Sequence, residues 1–192
     1  MVEELDRLEK HTKNAVKWIA AEFKYTNDLH EFLEKVKTEG AEEALRDVKK
    51  AFRALRYIGR AERKSDSNES AVIEDLKALE EILPQNLKHV DETLMKELEI
   101  GQGKLVKLAS RFTGKLRNEL KGIREDELAL EHYENKDGVS EAKLAAIKKE
   151  LTQLVEEAEG EVEELIKWIR ETEAVLEKIE KGFVAKLKAM SS

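Results

Sequence analysis

Lys64-Ser65-Asp66-Ser67-Asn68-Glu69-Ser70 is the stretch on which the architecture turns. All seven residues are polar, and five are the serine, aspartate and asparagine types that cap helix N-termini. Read as a loop, the stretch ends one long helix near residue 63 and starts another near residue 69. Asn135-Lys136-Asp137-Gly138-Val139-Ser140 reads the same way: Asp-Gly makes the turn and Ser140 caps the next helix.

Outward from these two stretches, apolar residues recur at alternating steps of three and four, the spacing that keeps one seam of a helix against a partner. The first segment gives Leu5, Leu8, Thr12, Ala15, Ile19, Phe23, Thr26, Leu29, Leu33 and Val36, then Leu45, Val48, Phe52 and Leu55. The middle segment gives Leu87, Val90, Leu94, Leu98, Gly101, Leu105, Leu108, Phe112, Leu116, Leu120 and Ile123. The last runs from Leu144 through Leu151, Leu165 and Ile169 to Phe183 and Leu187. No strand-like alternation competes. The expected fold is all-α, with long antiparallel helices at 2–63, 69–134 and 140–190 forming a single domain over residues 1–192. Candidate interruptions are Gly40, Pro84 and 101–103, since glycine and proline punctuate helices, and 26–28, where Asp28 with Glu31 three positions later could start a new helix.

Composition agrees. Of 192 residues, 40% are charged and 5% aromatic, with one proline and no cysteine. A chain rich in Glu, Lys, Leu and Ala with this periodicity suits helical bundles and coiled coils. Without cysteine, disulfides and thiol chemistry are excluded. No run of about 18 apolar residues exists to span a membrane. The opening Met1-Val2-Glu3-Glu4 has no signal-peptide character, which makes the cytoplasm the expected compartment.

Net charge is −7, unevenly spread. Residues 46–64 hold eight basic against two acidic residues, and 104–124 hold seven against one. Residues 150–164 hold seven acidic residues and no base, and 69–87 hold five against one. Folding the chain back at both loops lays each basic block beside an acidic one, which sets register more than it stabilises. In that three-helix register residues 49–84 project as a two-helix tip. Phe52, Leu55, Tyr57, Ile58, Ile73, Leu76 and Leu79 would then form an exposed docking face for a second copy or another helical protein. The alternative is a chain broken at Gly40 and Pro84 and folded back as a four-helix bundle.

Chemistry is sparse. Bundle metal sites use Glu-x-x-His steps, but the residues three before His11, His30, His89 and His132 are Leu8, Asn27, Asn86 and Ala129. No phosphate-cradling glycine motif is present, since Gly101-Gln102-Gly103-Lys104 lacks the remaining spacing. No cofactor or small-molecule substrate is expected. The expected function is a protein–protein interaction module, a scaffold or adaptor acting as a homodimer or with another helical protein. An anion-binding reading, for nucleic acid or an anionic membrane surface, rests on the ridge Arg46, Lys49, Arg53, Arg56, Arg60 and Arg63. A metal-dependent bundle enzyme is the third reading.

Overall fold

The helix that begins at Ala41 runs unbroken to Glu80, straight through residues 64–70, in a computed structural model that describes residues 1–191. The side chain of Phe112, assigned to the middle seam by its spacing, lies outside the described residues. In chain order the helices are α1 (Val2–Thr38), α2 (Ala41–Glu80), α3 (Gln85–Glu134) and α4 (Glu141–Glu177). A π-helical segment (Lys178–Val184) and α5 (Ala185–Ser191) complete the chain. Among the described residues there is no strand, so the all-α expectation holds.

The loop expected at 64–70, and with it the division into helices 2–63 and 69–134, is corrected. Ile58, Glu62, Ser65, Glu69, Val72, Leu76 and Leu79 continue the three-four seam of α2, and all seven are buried. Capping-type side chains normally compete with helix by bonding the backbone in turn conformations. Here Ser65, Asp66, Asn68 and Ser70 have partners that the helix itself or α3 supplies, and Ser67 is exposed. The Ser65 hydroxyl donates to Glu69 Oε1 at 3.2 Å, and Asn68 Nδ2 donates to the Lys64 carbonyl at 2.7 Å. Gln102 of α3 donates its amide to Asp66 Oδ1 at 2.8 Å and to Ser70 Oγ at 2.7 Å.

The chain reverses instead at Gly40, Pro84 and 135–140. The Gly40 carbonyl accepts from Ala44 N, and the Pro84 carbonyl accepts from Leu87 N and Lys88 N, so each residue opens the helix after it. Proline suits that place because a helix start needs no N–H from it. The expected turn at 135–140 is present, with Gly138 at φ 88° and the Ser140 hydroxyl accepting from Lys143 N. The helices pass without interruption through 26–28 and 101–103.

The chain divides into two compact units, each taking a segment from every long helix. The first comprises residues 1–23, 59–109 and 167–192; the second comprises 24–58 and 110–166. Within the first unit, α1 meets α2 (His11–Asp75), α2 meets α3 (Lys77–Glu99) and α3 meets the π-helical segment after α4 (Glu97–Lys178). Lys188 of α5 closes the circuit onto Glu9 of α1. Within the second, α1 meets α2 (Lys35–Asp47), and α2 meets α3 through Arg124 over the Phe52 ring. There α3 meets α4 (Lys115–Glu161), and α4 returns to α1 (Glu159–Lys37). Each unit is therefore a ring of four helical segments with up-down connectivity. The Lys115–Glu161 pair also bears out the expected apposition of basic 111–124 with acidic 151–164.

Near the C-terminus the buried seam widens to two successive steps of four, Ile179, Phe183 and Leu187. An α-helix at 3.6 residues per turn would rotate those side chains off the seam. The wider π-helical turn keeps them on it.

Two glycines on α3 test this packing against each other. A methyl at Gly101 would fall inside contact distance of the Thr172 hydroxyl, on a β-branched side chain with little freedom to turn away, whereas one at Gly103 would meet nothing within 4 Å. Alanine gains about 1 kcal/mol of helix propensity at either place, and overpacking costs about 1–3 kcal/mol. Gly103→Ala is expected to raise the urea midpoint and Gly101→Ala to lower it, and equal shifts of one sign would contradict the packing.

Candidate functional site

In the second unit the basic ridge of α2 borders a groove with an apolar floor. Leu45, Val48 and Phe52 of α2 and Leu128 of α3 form the floor, and Lys49, Arg53, Arg56 and Arg124 form the rim. The hollow measures about 500 Å³. Leu128 is 48% exposed, an unusual state for a leucine flanked by charge, so the floor is open to a ligand. The Arg124 guanidinium sits 5.6 Å from the Phe52 ring centre, which orients it over the floor. Among the described residues, no carboxylate stands within ion-pairing distance of Lys49, Arg53, Arg56 or Arg124. Four cations thus rim one apolar trough without an internal counter-charge.

The rest of the predicted ridge divides. Arg46 is exposed and pairs with Glu42 at 2.8 Å, one turn back on its own helix. Arg60 and Arg63 are exposed and belong to the first unit. Since 46–64 and 69–80 lie on one continuous helix, the expected apposition of basic 46–64 with acidic 69–87 does not occur.

No projecting tip forms, because α2 does not reverse at 64–70. Leu55 and Ile58 are buried in the second unit's core, while Ile73, Leu76 and Leu79 are buried in the first unit's. Only Phe52 and Tyr57 retain partial exposure, and Tyr57 stacks on Tyr25 at 4.9 Å between ring centres. As a set, the seven residues do not share a surface.

Carboxylates enter the seams, which hydrophobicity alone does not anticipate. In the first unit Glu22 of α1 and Glu62 and Glu69 of α2 are buried, with Asp91 of α3. Burial pushes the Glu62 and Glu69 carboxyls up to about 7, each helped by the nearby Asp66 charge, and holds Glu22 well above the usual range. Burial likewise raises Asp91 to about 7. In the second unit Glu127 is raised to about 7 and Glu119 to about 8, the latter by burial and by the neighbouring Glu161. A protonated Glu119 can donate to Glu161, whose charge Lys115 balances. Among the described residues these acids form no cluster of three or more with metal-binding geometry. His11 is committed to Asp75 at 2.6 Å.

No protein-family model matches the chain, and no curated protein or solved structure matches it either.

The seam acids make a pH prediction. They hold protons more tightly in the folded chain than in the unfolded one, where carboxyls titrate near 4.5. Their contribution to stability is therefore complete below about 4.5 and is lost as pH rises through about 7 to 8. The melting temperature is expected to fall between pH 5 and 8.5, by ordinary linkage of about one proton per seam acid. Glu69→Gln, which keeps the shape without the titration, should flatten that fall. A melting temperature that rises over this range, or a Glu69→Gln profile parallel to wild type, would contradict the burial of these groups as carboxylic acids.

Proposed function

We propose that this chain is a protein–protein interaction module that takes an acidic, amphipathic helix of a partner into the α2/α3 groove of its second unit. The observation that supports this reading is the un-neutralised rim of Lys49, Arg53, Arg56 and Arg124 around the floor of Leu45, Val48, Phe52 and Leu128. A helix-in-groove contact needs apolar anchors on one face and charges beside them. An apolar floor offers nothing to a phosphate backbone, and a concave trough does not suit a flat bilayer. The chain's net charge of −7 also repels an extended polyanion beyond the groove, so a short acidic helix fits better than nucleic acid.

Exposed rim cations next to the floor carry specificity and association rate, and the floor carries affinity. A synthetic helix with leucines at i, i+3, i+4 and i+7 and glutamates elsewhere is the direct probe. Fluorescence anisotropy is expected to show saturable, salt-weakened binding to the full chain. Arg53→Glu with Arg56→Glu should weaken it at least about tenfold, equivalent to about 1.4 kcal/mol. Unchanged affinity in that variant, or a shift only with RNA, DNA or anionic vesicles, would contradict the reading.

A further inference from the structure

A second face of the same unit points to a different partner. On the α3/α4 side, Arg111 and Lys115 line one wall of a shallow cleft and Glu156, Glu157 and Glu164 line the other, with Gly160 between. Lys115 is paired with Glu161 in the cleft, so Arg111 is the unpaired cation of one wall and the exposed glutamates are the unpaired anions of the other, an arrangement that matches itself under a two-fold rotation. The basic wall of one copy then meets the acidic wall of its partner, and the reverse contact arises by symmetry. We infer that this chain forms a two-fold homodimer through the α3/α4 face of its second unit.

Two observations support a second copy as the occupant. Glu156, Glu157 and Glu164 are exposed, and among the described residues no base stands within ion-pairing distance of them. Only Glu161, buried beneath them, is matched within the chain, by Lys115. The glycines are the second. Gly160 and, three residues beyond Arg111, Gly114 both sit inside helices, are exposed, and have nothing within 4 Å of where a Cβ would lie. An interior helical glycine costs about 1 kcal/mol relative to alanine, and neither is used by its own chain for close packing. Across a two-fold axis they let α3 of one copy approach α4 of the other. Such a contact is salt-sensitive and reversible rather than permanent.

Charge swapping tests this on the full chain by sedimentation equilibrium. Wild type should be a dimer that dissociates on dilution and at high salt. Glu156→Lys with Glu157→Lys and Glu164→Lys makes both walls basic, and Arg111→Glu reverses the unpaired cation of the other wall while sparing Lys115. Each variant alone should be monomeric, and an equimolar mixture of the two should recover the dimer, because both contacts are then matched again. Gly160→Leu, which leaves every charge in place, should also give monomer, with circular dichroism confirming that all variants remain helical. Arg53→Glu with Arg56→Glu should leave the dimer intact. A monomeric wild type at its highest soluble concentration would overturn the inference. So would a dimer that survives both charge reversals, a mixture that stays monomeric, or a dimer lost with the Arg53 and Arg56 changes.

Discussion

A carboxyl group can occupy the seam of a helical bundle only by giving up its charge or by finding a cation and hydrogen bonds there. That constraint governs this molecule at residues 62–69 of α2. Glu62 and Glu69 sit one heptad apart on the buried seam, with Ser65 between them donating to Glu69. Burial raises both carboxyls to about 7, which brings the neutral form within reach, and the seam runs continuously from Ile58 to Leu79 along an unbroken α2. The rest of the architecture depends on that continuity. The chain must reverse at Gly40 and Pro84, four segments rather than three surround each core, and α2 meets α3 within each unit.

Much of the helical content was legible in the sequence, and so was the turn at 135–140. The spacing from Ile58 to Val72 is fourteen residues, two whole heptads, and is the signal that α2 continues. It is masked because the intervening seam positions are filled by Glu62, Ser65 and Glu69, which a hydrophobicity reading assigns to solvent. The same displacement occurs elsewhere. Phe23 and Val90 are the apolar choices for the seam, yet the fully buried positions beside them are Glu22 and Asp91, while Val90 is 41% exposed. Polar seam residues shift the apparent register by one position wherever an apolar neighbour is available.

The basic ridge was legible as a periodic row of cations, but the groove was not. Arg124 and Leu128 join it only because α3 returns antiparallel to α2 after Pro84. A chain turning at 64–70 would have set acidic residues against Arg53 and Arg56 and neutralised them. With α2 unbroken, the acidic residues 69–80 lie further along the same helix, and the rim keeps its charge. The balance of charge on the molecule therefore depends on where a single helix ends. On the α3/α4 side Lys115 of the basic block does meet Glu161 of the acidic one, while the outer Glu156, Glu157 and Glu164 are exposed.

Hydrogen exchange across residues 62–72, followed by mass spectrometry at neutral pH, tests the continuity of α2 most directly. Amides inside a helix that is buried on one side exchange only on opening, whereas those of an interhelical loop exchange at nearly the free-chain rate. Protection through 64–70 equal to that of 50–58 is the result expected of an unbroken α2. Rapid exchange confined to 64–70, with protection resuming at Val72, would restore a reversal of the chain there and contradict it.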